Sequence, residues 1–225
     1  MVQFSYYGHS CFLLDDGQYK VLFDPFLTGN PKASIAADEV ECDYILVSHA
    51  HGDHLGDAPE IAKRTGAAIV AIPEVLALCQ ERVGDIKSYP MNIGGSVKLP
   101  FGRVRMTHAD HSSGVAGGIA FGFVITMENC HLYFAGDTAL FSDMQLIGRK
   151  DVLDYAVLPI GDNYTMGLED GVMAAQFLNA RNVIPVHYDT WPVIEQDVAR
   201  YKQLTEKTSR ARVHIVKPGQ TIQLK

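Results

Sequence analysis

Apolar positions along the chain fall into two textures. Short runs rich in β-branched and aromatic residues, bounded by Gly, Asp, Asn or Pro, alternate with longer windows in which apolar residues recur every three or four positions. The first texture predicts strands over residues 2–7, 11–14, 20–23, 44–47, 67–72, 97–99, 104–107, 119–126, 131–135, 155–158, 183–186 and 213–216. Asp15-Asp16-Gly17 and Glu128-Asn129 stand where tight hairpin turns are needed. The second texture predicts helices over 57–65 (ended by Gly66), 73–83 (with Pro73 at the first helical position), 168–178 and 195–207.

Two strand-rich groups, each accompanied by helices, imply two mixed β-sheets packed face to face with helices outside, a four-layered αββα sandwich of the α/β class. No low-complexity tract, linker or fixed-period repeat interrupts the pattern, so residues 1–225 are expected to form a single domain.

Polar residues of one kind recur just after the apolar runs. The run 44–47 leads into His49, 104–107 into His108 and His111, and 131–135 into Asp137. The run 155–158 leads into Asp162 and Asn163, and 183–186 into His187. Strand mouths are where loops carry function on a rigid base, and core packing does not ask for His, Asp or Asn at five of them. The densest group is His49-Ala50-His51-Gly52-Asp53-His54. Three imidazoles and a carboxylate in six residues suit a metal: His49 and His51 can bind one ion, Asp53 and His54 a second, the carboxylate making the second site harder.

Composition narrows the setting. A formal net charge of −7 argues against broad nucleic-acid binding, which leaves a basic footprint. Cys11, Cys42, Cys79 and Cys130 form no CxxC pair and read as reduced, packed thiols of a cytoplasmic protein. The N-terminal residues have neither the basic nor the apolar part of a signal peptide, and the uncharged stretch 112–127 is glycine-rich and too short to span a bilayer, so no membrane association is expected. The Gly-rich segment 115–123 reads as a buried strand or part of a homo-oligomer contact.

Taken together, Gly8-His9-Ser10-Cys11, Phe23-Asp24-Pro25-Phe26, the Ser48–His54 segment, His111-Ser112-Ser113, Ala135-Gly136-Asp137-Thr138, Leu158-Pro159-Ile160-Gly161-Asp162-Asn163 and Pro185-Val186-His187-Tyr188 resemble the metallo-β-lactamase fold superfamily over nearly the whole chain. Within it, they resemble the small metal-dependent hydrolases akin to L-ascorbate 6-phosphate lactonase. The resemblance implies two divalent metal ions: one on His49, His51 and His111, the other on Asp53, His54 and His187, with Asp137 bridging both; the affinity order of divalent metals puts Zn before Mn. It places Asp24 beneath the metals as a buried hydrogen-bond acceptor and brings His9 towards the cleft. Asp53 is then expected to orient or deprotonate the nucleophile, His9 to assist the oxyanion or leaving group, and Asn163 and Tyr188 to contact substrate.

The implied function is hydrolysis of a small ester, lactone, amide or phosphodiester by a hydroxide shared between the two metals. A non-catalytic metal-binding scaffold, a diiron redox enzyme and a nuclease of the same fold are the alternatives. His51 stands where diiron relatives carry Glu, and no basic arm for RNA is visible. His108, His131 and His214 read as structural, and Asp110 as an exposed carboxylate.

Overall fold

The computed structural model describes residues 1–225. Fourteen strands form two seven-stranded sheets. Five strands of the first sheet come early in the chain: β1 (Gln3–Gly8), β2 (Cys11–Asp15), β3 (Lys20–Phe23), β4 (Tyr44–Leu46) and β5 (Ala68–Ala71). It is extended by β6 (Ser88–Pro90) beyond β5 and closed beside β1 by the C-terminal strand β14 (Thr221–Gln223). The second sheet holds β7 (Ser96–Leu99), β8 (Gly102–His108), β9 (Phe121–Met127), β10 (Cys130–Phe134), β11 (Tyr155–Pro159), β12 (Asn182–Val186) and β13 (Arg212–Val213), in order from one edge to the other. Each sheet is antiparallel on one side and parallel on the other. The ladders β14-β1-β2-β3 and β7-β8-β9-β10 are antiparallel, while β3-β4-β5-β6 and β10-β11-β12-β13 are parallel.

The period-two alternation that predicts strands also sorts their side chains into layers. Phe121, Phe123, Ile125 and Met127 of β9 join one core with Phe134 of β10 and Val157 of β11. Phe4, Phe12, Phe23, Ile45 and Val70 of the first sheet belong to that same core. Phe12 and Phe23 stack at 4.3 Å, and both meet Phe134 edge-on across the sandwich, at 5.2 and 5.7 Å. The intervening residues Val124, Tyr133, Ala156, Leu158 and Val183 face the other way, into a second core with the helices α4 (Met144–Lys150), α5 (Leu168–Leu178) and α6 (Val198–Thr208). On the far side of the first sheet, α2 (Ala58–Thr65) and α3 (Pro73–Val83) bury Ile61, Val75 and Cys79. Helices, sheet, sheet and helices make the four layers expected. No helix is long and apolar enough to cross a membrane.

Several boundaries differ from the sequence expectation, each for a local reason. The strand expected over 119–126 begins at Phe121, because residues 119 and 120 have no ladder partner. The helix expected from residue 195 begins at Val198, where the Asp197 carboxylate caps it by accepting the Arg200 N–H at 2.9 Å. The last strand of the second sheet spans only Arg212–Val213 rather than 213–216. Alternate residues of β12 address β13, and the next one due, Pro185, has no N–H to offer a further rung. Six short elements escaped the pattern: α1 (Gly52–Leu55), β6, α4, β14 and the 3-10 turns Ala37–Glu39 and Pro192–Ile194. A three-residue edge strand or a seven-residue helix containing Gly148 carries too little periodicity to register.

Candidate metal centre

Four of the residues singled out at the strand mouths, His49, His111, Asp137 and His187, converge at one end of the sandwich. Beyond β4 the chain turns through Ser48–Ala50 into α1, whose N-cap is His51, so Asp53 and His54 stand on a single helical turn directly after it. The loop after β8 brings His111, the turn after β10 brings Asp137, and the end of β12 brings His187. His9 enters from the β1–β2 turn and Asp24 from the end of β3.

Backbone strain collects here. His9, Asp24 and His187 have φ of 58°, 38° and 56°, and Asp162, Asn163 and Asp189 beside them are also left-handed. Such conformations cost on the order of 1–3 kcal/mol each in non-glycine residues, and persist only where the surroundings over-determine them. One reason is visible: the His187 N–H donates to the His9 carbonyl at 2.9 Å, tying two distant turns together.

Donor atoms face each other across short distances. Those of His49, His51 and His111 all lie within 4.8 Å of one another, as do those of His9, Asp53, His54 and His187, and those of His49, His54 and Asp137. Asp137 sits centrally, its Oδ2 at 3.1 Å from His187 Nε2, 3.2 Å from His54 Nε2 and 3.6 Å from His111 Nε2. These contacts are short, yet His54 Nε2, His187 Nε2 and Asp137 Oδ1 are buried without a hydrogen-bond partner. Buried polar atoms are almost always satisfied, and an orphaned group costs about 1–3 kcal/mol. Imidazole and carboxylate atoms left unpaired around one space are the donor set of a borderline divalent cation, so the residues present fit the metal ions that the sequence implies.

Asp24 organises the floor of this space. It accepts the Ser48 backbone N–H at 2.7 Å, the Ser48 hydroxyl at 2.6 Å and His54 Nδ1–H at 2.7 Å. The Ser48 hydroxyl, its proton already given to Asp24, accepts from His49 Nδ1 at 3.0 Å. One carboxylate thus fixes two rings, His54 directly and His49 through Ser48, and leaves both Nε2 atoms pointing into the centre.

Electrostatics follow from burial and from these neighbours. Burial penalises charge on His54, but the Asp137 and Asp24 carboxylates on its two sides outweigh that and hold it well above the usual histidine range. Burial alone would raise Asp137; His187 and His54 beside it hold it well below the carboxylate range instead. His49 is pushed down by burial and by the charge of His54. Burial lowers His9 to about 4 in spite of the Asp53 carboxylate beside it.

The remaining expectations divide. Of the two histidines at the end of β8, His111 stands in the cluster, while His108 is exposed and packs edge-on against Phe141 at 5.0 Å. His131 bonds Thr126 and His214 bonds Asn182, away from the centre. Tyr188 shares a cavity of about 220 Å³ with His9, Tyr6, Lys32 and Lys217. Asn163 is exposed, and its side chain makes no hydrogen bond to the cluster. Sequence reasoning did not single out Ser48 as a link between rings, nor Thr190, whose hydroxyl lies 2.8 Å from His9 Nδ1. A lone Ser and a lone Thr beside stronger motifs give no signal of their own.

Comparison with known proteins agrees with the geometry. The beta-lactamase superfamily domain matches residues 19–188. A UPF0173 metal-dependent hydrolase from Heliobacterium modesticaldum is 48% identical, with 100% of this chain and 98% of the relative covered. Another, from Natranaerobius thermophilus, is 41% identical over 99% of this chain and 100% of its own. The solved structure of Igni18, described as a novel metallo hydrolase from Ignicoccus hospitalis, superposes with a TM-score of 0.91 at 35% identity, covering 98% of this chain and 97% of that one. With the match covering strands of both sheets and all seven candidate metal ligands from His49 to His187, and with relatives aligned end to end, the chain belongs to the metallo-β-lactamase superfamily, among its UPF0173 metal-dependent hydrolases.

Proposed function

We propose that the protein is a cytoplasmic, single-domain hydrolase that cleaves a small ester, lactone, amide or phosphodiester at a centre of two divalent cations, Zn²⁺ before Mn²⁺. His49, His51 and His111 would hold one cation, Asp53, His54 and His187 the other, and Asp137 would lie between them. When bound, such cations supply Lewis acidity and an ionised water at neutral pH. The observation that carries the reading is the set of buried, unpartnered donor atoms on His54, His187 and Asp137 facing one space.

The chain's own residues supply orientation. Asp24 keeps the Nδ1 proton of His54 and, through Ser48, that of His49, so both rings present Nε2. Asp53 is the one carboxylate of the centre with substantial solvent access, its side chain 29% exposed against 3% for Asp137. That exposure suits it to accept a proton from the attacking water. Tyr188 and Asn163 are assigned to substrate contact.

The test is elemental analysis of protein purified without added metal, joined to a screen of ester, lactone, amide and phosphodiester substrates. About two Zn or Mn per chain and hydrolysis of at least one class is the expected result. Metal-loaded protein inert on every class would favour a binding scaffold.

A further inference from the structure

His9 is confined from every side. Its φ is 58°, its carbonyl accepts from the His187 N–H at 2.9 Å and from the Tyr6 hydroxyl at 2.7 Å, and its side chain has no solvent exposure. Its ring packs against those of His187, Trp191 and Phe26, at 4.1, 5.0 and 5.8 Å. Both ring nitrogens are engaged. Nδ1 lies 2.8 Å from the Thr190 hydroxyl and Nε2 lies 3.2 Å from Asp53 Oδ2. With both nitrogens engaged, the ring links the two groups that they touch.

With Asp53 ionised and the His9 ring neutral, the hydrogen-bond inventory gives the chain one direction. An ionised carboxylate only accepts, so the proton between His9 and Asp53 belongs to His9 Nε2. A neutral imidazole with Nε2–H has a bare Nδ1, which accepts the single proton of the Thr190 hydroxyl. Thr190 makes no other side-chain hydrogen bond, and it is buried, so its hydroxyl has no competing partner.

We propose that Thr190 is a positioning residue: through His9 it holds in place Asp53 Oδ2, the oxygen that stands 3.8 Å from His187 Nε2 and 3.9 Å from His54 Nε2. The proposal rests on the hydrolase reading only for its consequence in catalysis; the hydrogen-bonded chain itself is a property of the protein without metal. His9 accordingly acts on Asp53. Thr190→Val keeps the volume and removes the hydroxyl; Thr190→Ser keeps the hydroxyl. Residues that orient metal ligands from behind typically cost about 10–100-fold in metal affinity or activity when changed.

The experiment has two arms. In metal-free protein, the nitrogen-15 shifts of the His9 ring are expected to show a neutral ring protonated on Nε2 in the wild type and Thr190→Ser, and loss of that single tautomer in Thr190→Val. In the second arm, Zn²⁺ is titrated against the fluorescence of Trp191, the chain's one tryptophan. The weaker of the two Zn²⁺ equilibria is expected to drop by about 10–100-fold in Thr190→Val and to recover in Thr190→Ser. A wild-type His9 that is protonated on Nδ1 or on both nitrogens overturns the proposal. So does a Thr190→Val protein that keeps either the wild-type tautomer or the wild-type Zn²⁺ affinity. If both arms come out as expected but no substrate is hydrolysed, the positioning chain stands and the hydrolase reading falls.

Discussion

His54 and Asp24 form a fully enclosed pair: Nδ1 of the ring donates to Oδ2 of the carboxylate over 2.7 Å, and neither side chain has any solvent exposure. Breaking such a pair from one side leaves its partner buried and uncompensated, which is far worse than never having had it. The same carboxylate accepts two bonds from Ser48, so three donors depend on it.

Asp24→Ala is therefore expected to destabilise the fold by about 3–5 kcal/mol, measured by urea unfolding of the metal-free protein. Asp24→Asn keeps the volume but turns one acceptor into a donor. It should retain more stability than the alanine variant while Zn²⁺ affinity falls about 10–100-fold. An asparagine variant that binds Zn²⁺ as tightly as the wild type would remove Asp24 from the account of the centre.

His51→Ala and Asp137→Ala are each expected to lower kcat/KM by about 10²–10³-fold or more, the scale on which a single preorganised electrostatic element contributes. Steady-state kinetics beside metal analysis decides the matter. An undiminished rate with both metals still bound would defeat the assignment.

Stripping the metal with a chelator should abolish hydrolysis and lower the melting temperature, and either Zn²⁺ or Mn²⁺ should restore both. A ligand bound only by the folded state at 100 times its Kd adds about 2.7 kcal/mol of stability per site, large enough to read by calorimetry. A melting temperature indifferent to added metal would count against a built centre.

Gly114 lies close behind His51. With φ of +72°, a Cβ built on it would meet His51 Cδ2 at 2.7 Å and His51 N at 2.8 Å. Both contacts are closer than real Cβ atoms allow, and one is to backbone. Gly114→Ala is expected to cost more than about 1 kcal/mol and to displace the His51 ring, so that activity falls further than stability explains. An alanine variant with wild-type kcat/KM would show that the His51 loop has slack.

Burial pushes the Cys42, Cys79 and Cys130 thiols up to about 12. Groups whose folded-state pKa lies above the unfolded value stabilise the fold fully below that unfolded value, here 9.0, and the contribution is lost as pH rises towards 12. Denaturant midpoints should therefore decline between pH 9 and 12, and Cys79→Ala should flatten that decline although it lowers stability at pH 7. An unchanged slope in the variant would show that Cys79 does not contribute to the alkaline loss.

Much of the fold was legible in the chain because strands of a two-sided sandwich alternate strictly. Val157 turns inward and Ala156 and Leu158 outward, and that alternation is written in the sequence. The elements that were misplaced are those whose limits are set by partners. β13 ends where Pro185 of a neighbouring strand has no N–H to give, and β14 exists only because β1 offers it an edge. The candidate metal ligands were legible for a related reason: His49, His51, Asp53 and His54 are packed into one tight turn, and the others follow immediately after apolar runs.

By itself the sequence determined which side chains have metal-binding chemistry and which strands carry them to one end of the molecule. Residue type and strand period are local properties, readable without coordinates. Only the tertiary structure decided which histidines are held from behind and by what. Thr190 reaches His9 across 181 residues of chain, and Asp24 reaches His54 across 30. Those contacts arise where two sheets pack and their turns interlock, and no periodicity in the chain encodes a meeting between turns.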